Sequence, residues 1–476
     1  MLVVAVVVMG AALIIVKTLN AATWRADRLR VTNAAITKAK EALVARAVTD
    51  DNRPGSLPCP DTDDDGVAQL FAGNQCPNYV GRLPWRTLEL PDLRDAEGER
   101  LWYVLSPTHR DHSAAEPINS NTAGAITVSG ATPSAQVLAV LISPGRPLIR
   151  EGAAGMQARD CPGNCTVASN YLDFAGGVDN AAGVVGGVIN VASAAETASF
   201  NDQLLAIHAD DIMPLVEKRA GREISLALRA RYDAWQAATG KGFYPWAAPL
   251  NDPANPGPGV DGTLHGHLPG TPAPLVWTSA SANLGSCVGV GTPTLTCNAV
   301  VGLALLNITG RVGGIATAFT EAPAAPVIAG LPLFQSHSWS VDSAAQSLDF
   351  QYSALLGVVT VTVQAPVVVP WAPASSPWLV DNQWERVATY AISHGHKITG
   401  PGACNVANPC ISLGGAADKE AIVMMAGRPV AGQARAVPAL IADYLEGADN
   451  TTPDDMVLER NLRTTAFNDQ PVVVRP

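Results

Sequence analysis

The chain has 476 residues, enough for two or more domains with separate cores. Hydrophobic residues make up 47% and charged residues 15%, which describes a folded protein and excludes a disordered one. The net charge of −11, with no basic stripe to offset it, argues against a nucleic-acid partner.

The chain opens in an apolar or small run from Leu2 to Val16 that Lys17 closes. Its bulky members are Leu2, Val3, Val4, Val6, Val7, Leu13, Ile14, Ile15 and Val16. The run is within range for a signal-peptide core and slightly short for a membrane span. No basic segment precedes it, so the alternatives are a start that lacks its basic leader or an atypical one. Beyond Lys17, Leu29, Ile36 and Leu43 recur every seven residues with Ala39 and Ala47 on the same side. Arg53-Pro54-Gly55 stops the pattern. The reading is one helix of about 48 residues, apolar in its first third and amphipathic afterwards, about 70 Å long.

From Arg53 the texture changes to loops and short strands, with alternating stretches at Ala125 to Ser129 and Val137 to Ile142. A second helix is predicted from about residue 204 to residue 239, on the spacing of Ile212, Leu215, Val216, Ile224, Leu228, Tyr232 and Trp235. Residues 251 to 274, rich in Pro and Gly, read as loop; strand-like runs follow at 299 to 308, 347 to 363 and 421 to 425.

Phe200-Asn201-Asp202-Gln203 recurs at Phe467 to Gln470. Upstream of the two copies, in the same order, Tyr171-Leu172-Asp173 with Asn180 answers Tyr444-Leu445-Glu446 with Asn450. Gly145-Arg146-Pro147 likewise answers Gly427-Arg428-Pro429, and Tyr103 to Ser106 answers Tyr390 to Ser393. Ordered matches of this kind read as an internal duplication. The expected fold class is therefore α+β: a long N-terminal helix followed by two helix-plus-antiparallel-sheet lobes. The expected domains are a helix over 1–48, a first lobe over 49–202, a second long helix over 203–240 and a second lobe over 241–476.

The eight cysteines fall into neighbouring pairs, Cys59/Cys76, Cys161/Cys165, Cys287/Cys297 and Cys404/Cys410. Short spacings and an even count point to disulfides and an oxidising compartment; a metal site or reduced buried thiols is the rival reading. Asp61, Asp63 and Asp65, followed by Gly66, copy the first half of a calcium loop. Ala72 stands where the closing glutamate belongs, so the alternatives are Ca2+ in an atypical loop or a hydrated acidic turn. His265/His267 and His394/His396 could each grip zinc or copper from a strand, or be loop histidines. No nucleophile elbow, phosphate loop or zinc-protease motif is present, and no catalytic residue is assigned. Trp85, Trp246, Trp371 and Trp378 sit beside prolines, where packing explains them more simply than sugar stacking.

Ala39 to Leu43, Arg53 to Asp61, Gly81 to Trp85, Leu90-Pro91-Asp92 and Asp95 to Gly98 with Leu101 to Tyr103 form a pattern. With the hydrophobic start, it resembles the type IV pilin and type II secretion pseudopilin superfamily over residues 1 to about 106. The resemblance implies a non-enzymatic minor subunit of an envelope filament, acting in assembly, priming or tip structure. Its implied partners are other pilin or pseudopilin subunits and the inner membrane. It implies a single-pass inner-membrane anchor with the bulk periplasmic or extracellular. Against this, the basic residues Lys17, Arg25, Arg28 and Arg30 would by charge bias put the bulk in the cytoplasm; the cysteines favour the outer side. The alternative is a surface adhesin whose second lobe recognises a sugar or protein.

Overall fold

The computed structural model describes the chain except residues 1, 113–115, 162–164, 185–186, 253–256, 258, 261, 270–275, 314–322, 343, 346, 366–374, 436–439, 453–455 and 476, and the side chains of 2–22 and 301–304. The chain divides into two compact units. The first is Met1–Ile118 with Thr122–Val216, and the second is Asn119–Asn121 with Glu217–Pro476.

In the first unit, helix α1 (Leu2–Thr49) leads into strands β1 (Val80–Arg82), β2 (Trp102–Leu105), β3 (Ile126–Gly130), β4 (Ser134–Val137) and β5 (Ala139–Ser143). They are followed by β6 (Phe174–Ala175), β7 (Val178–Asp179), β8 (Ile189–Ser193) and β9 (Gln203–Ile207). The central sheet runs β1-β2-β5-β9, antiparallel throughout. Every residue of β5 is buried, and α1 packs against this strand. The helix does so through Thr32, Ala35, Ile36, Ala39, Leu43 and Ala47, a stripe at three- and four-residue spacing. A smaller sheet, β4-β3-β8, pairs β3 with β8 in parallel.

Helix α2 (Ala209–Thr239) carries the division between the units at Val216. The second unit continues with β10 (His265–His267), β11 (Trp277–Ala282), β12 (Gly285–Val288), β13 (Thr294–Val312), β14 (Val327–Gly330), β15 (Leu333–Asp342) and β16 (Ser347–Gln364). After the short helix α3 (Trp378–Asp381) come β17 (Ala388–Ile392), β18 (Ile411–Leu413), β19 (Ala416–Lys419), β20 (Ala421–Met425), β21 (Val457–Leu458) and β22 (Gln470–Arg475). Its sheet β10-β17-β20-β22 has the strand order and antiparallel pairing of β1-β2-β5-β9. Its small sheet β19-β18-β21 again holds one parallel pair, β18 with β21. Gly221 lets α2 approach this unit's sheet: a Cβ there would stand 2.7 Å from Val472 and 2.8 Å from Met425.

The α+β expectation does not describe this chain. Strand accounts for 33% and helix for 18%, so the protein is mostly β, with three α-helices among the described residues. The excess comes from a six-stranded antiparallel sheet, β11-β13-β16-β14 with β12 on β13 and β15 on β16, which has no counterpart in the first unit's sheets. Strands β13 and β16 run 19 and 18 residues. They hold this length because Leu348, Phe350, Tyr352 and Ala354, then Val359, Val361 and Val363, alternate into a core with Trp235, Trp246, Trp277 and Trp339. The stretch 203–207, expected as helix, is instead β9, paired with β5 and followed by the helix from Ala209.

The single-pass inner-membrane placement is also overturned. Among the described residues no helix is long and apolar enough to cross a membrane. The run from Leu2 to Val16 falls short of the roughly 20 residues a span takes, and Lys17, Arg25, Asp27 and Arg28 follow on the same helix.

Candidate functional site

The residues matched between the repeats build the same hydrogen-bonded clamp in each unit. In the first, the N–H groups of Asn201 and Asp202 donate to the Asp173 carboxylate at 2.6 and 3.2 Å. The Asp202 carboxylate in return accepts from the Asp173 N–H and from Asn180 Nδ2, both at 2.8 Å. In the second, the N–H groups of Asn468 and Asp469 donate to Glu446 at 2.8 and 3.2 Å. Asp469 accepts from the Glu446 N–H at 2.7 Å and from Asn450 Nδ2 at 3.0 Å. The clamp lies immediately before β9 in one unit and β22 in the other, so it fixes where the last strand of each central sheet begins.

Further residues support each clamp. Gln157 Nε2 donates to Asp173 at 3.1 Å, and Gln433 Nε2 donates to Glu446 at 2.9 Å. Arg159 reaches the carbonyls of Asn170 and Gly145 and stands over the Tyr171 ring at 4.9 Å. Arg435 reaches those of Asp443 and Gly427 and stands over Tyr444 at 5.0 Å. Asn201 Nδ2 donates to the Arg146 carbonyl and Asn468 Nδ2 to that of Arg428. Burial, then the neighbouring carboxylate, pushes Asp202 and Asp469 up to about 8 each; burial also raises Asp173. In the first unit a cleft of about 270 Å³ opens beside the clamp, lined by Arg25, Arg28, Asp95, Arg146, Asn201 and Asp202 among others.

The acidic triplet does converge, with single carboxylate oxygens of Asp61, Asp63 and Asp65 within 4.8 Å of one another. Asp61 is buried and already engaged. Its Oδ1 accepts the N–H groups of Asp63 and Asp64, and its Oδ2 that of Gly66. Asp64 pairs with Arg100 at 2.9 Å. This is the bonding of a turn organised by its first aspartate. The four expected cysteine pairs are the four disulfides, Cys59–Cys76, Cys161–Cys165, Cys287–Cys297 and Cys404–Cys410.

The histidine pairs are not united. His265 and His267 are buried on β10, and burial pushes His267 down to about 4. His396 groups with Cys404 and Cys410, but those sulfurs are bonded to each other and offer no thiolate. Ser393 Oγ lies 3.0 Å from His396 Nδ1, and His396 Nε2 lies 3.5 Å from Glu420. Ser393 has no exposed surface, so this trio cannot meet a substrate. Trp246 and Trp378 are buried in packing, and Trp371 lies outside the described residues.

Two further matches between the units were missed in the sequence. Gln157-Ala158-Arg159 recurs as Gln433-Ala434-Arg435, in the same order and between the same flanking matches. Gly81-Arg82-Leu83-Pro84 answers Gly266-His267-Leu268-Pro269, since Gly81 pairs with Tyr103 and Gly266 with Tyr390. The shared Gly-x-Leu-Pro is the signal that could have shown it. No family model, curated protein or solved structure matches the chain.

Proposed function

We propose that this chain is a non-enzymatic, pilin-like subunit of a filament, whose first helix packs among the helices of neighbouring subunits. The observation that carries the reading is the exposure of α1 ahead of its packed stripe. The helix is 48 residues long, yet its buried stripe starts at Thr32. Residues 23–31 are exposed, including Trp24 at 72%, Leu29 at 47% and Val31 at 45%. Large apolar side chains on a projecting helix mark a surface that awaits a partner. An apolar groove of about 620 Å³ along the same helix, lined by Thr37, Lys40, Val44, Leu205 and Leu215 among others, extends that surface.

Deleting residues 2–31 tests the proposal. The truncated chain should keep its thermal unfolding midpoint and lose self-association; unchanged association counts against it. A second reading, a surface binding protein, rests on the six-stranded sheet. Val300, Leu305, Leu331, Phe334 and Val358 are exposed there, and Val300 pairs directly with Val358. Intact assembly with lost attachment after substituting Leu331 and Phe334 would favour it.

A further inference from the structure

Each clamp leaves two oxygens over. Asn201 Oδ1 and Asp202 Oδ1 are buried and accept no hydrogen bond, and Asn468 Oδ1 and Asp469 Oδ1 repeat the pattern. The four residues are 8%, 4%, 6% and 5% exposed. A bare buried acceptor costs about 1–3 kcal/mol. The same pair bare at two separate places in the chain is a property of the motif, not a local accident.

Space and charge decide what could satisfy these atoms. Each has less than 1 Å² of surface, so water does not reach them. A cation would meet a guanidinium in each unit, Arg159 or Arg435, and carboxylates whose other oxygens already take two hydrogen bonds. A proton needs neither room nor further ligands.

We infer that each unit holds one buried proton, shared between the carboxyls of Asp173 and Asp202 in the first and of Glu446 and Asp469 in the second, and that it closes the clamp ahead of β9 and β22. With the proton in place, one carboxyl becomes a donor and the two carboxyls carry a single negative charge opposite one arginine. Without it, two like charges face each other in a buried site. The charged and titratable groups around the first clamp are Asp173, Asp202, Arg159, Tyr171, Glu99 (3.4 Å from Arg159) and Asp95, which accepts from Ser143 and the Gly145 N–H, with Arg25, Arg28, Glu97, Arg146 and Glu196 lining the cleft beside it. Around the second they are Glu446, Asp469, Arg435, Tyr444 and Glu217.

The sign follows from linkage. Asp202 and Asp469 hold their protons up to about 8 in the fold, whereas an unfolded aspartate releases its proton near about 3.9. Their contribution to stability is full below about pH 4 and is lost as pH rises through about 8. Between pH 7 and pH 9 buried His267 and His109 are already neutral, whereas Glu385, at about 7, is still half protonated at the lower limit and contributes a fall that the clamp variants retain.

The test is the thermal unfolding midpoint of the full chain between pH 7 and pH 9, for wild type, Asp202→Asn, Asp469→Asn and the double variant. Asparagine keeps an acceptor for the clamp and supplies an N–H where the proton sits. The wild-type midpoint should fall as pH rises. Each single variant should remove part of the fall, and the double variant should leave only the part due to Glu385. Variants that retain the whole fall overturn the proposal, as does a wild-type midpoint lowered by EDTA, which would mean a cation. If a variant fails to fold, proton release on unfolding the wild type at pH 7, measured in buffers of different ionisation enthalpy, still decides. After allowing for the proton uptake of the histidines and the release from Glu385, about one proton from each unit is expected; none from either contradicts it.

Discussion

The side-chain amide of Asn468 lies against Gly427 so closely that a Cβ added there would stand 2.2 Å from its Oδ1. Asn201 lies on Gly145 in the same way, with the added Cβ at 3.1 to 3.2 Å from the amide. The glycine of each Gly-Arg-Pro is therefore a seat for the asparagine of the clamp.

Gly427→Ala should lower stability by about 1–3 kcal/mol, the usual cost of overpacking. Gly145→Ala should cost about 1–2 kcal/mol by a different route, since Gly145 has φ +57° and a side chain there is strained in the left-handed region. Denaturant unfolding of the two variants checks this. Asn468→Ala combined with Gly427→Ala should recover part of the loss, whereas Asn201→Ala with Gly145→Ala should recover none.

Part of this was legible in the sequence. Asn201, Asp202, Asn468 and Asp469 stood in identical four-residue strings, and their partners Asp173 and Glu446 sat in matched Tyr-Leu-acid triplets. What the strings could not show was direction: Asp173 and Asp202 exchange hydrogen bonds because the chain folds back on itself, and only coordinates fix that. Gln203 to Ile207 read as helix because Leu204, Leu205 and Ile207 suit either period over so short a run, and pairing with β5 decided for strand. The six-stranded sheet was foreseen only through β13 and β16. Strands such as Val327–Gly330 are too short and too exposed to leave a clean alternation.

The acidic turn separates its aspartates by role. Asp61→Ala should cost about 1–3 kcal/mol, because three backbone N–H groups lose their acceptor. Asp63→Ala should cost less than about 0.5 kcal/mol, as an exposed surface change. Equal losses at the two positions, read from unfolding midpoints with and without Ca2+, would instead indicate a shared cation.

Acid should destabilise the fold through its histidines. Burial, with Arg53 nearby, holds His109 down to about 3, and burial holds His267 down to about 4. A free histidine titrates near about 6.5, so the unfolded chain takes up protons first. Stability from these two residues is full above about pH 6.5 and is lost as pH falls towards 4 and 3. Substituting His109 with Gln should reduce the steepness of that loss in a pH series of unfolding midpoints.

On the proposed function, the exposed part of α1 meets other subunits. Cysteines placed at Trp24 and Leu29, which are exposed, with a control at exposed Leu462, allow crosslinking of the native protein. Ladders of crosslinked species are expected from Trp24→Cys and Leu29→Cys and none from Leu462→Cys. A monomer from all three would contradict it.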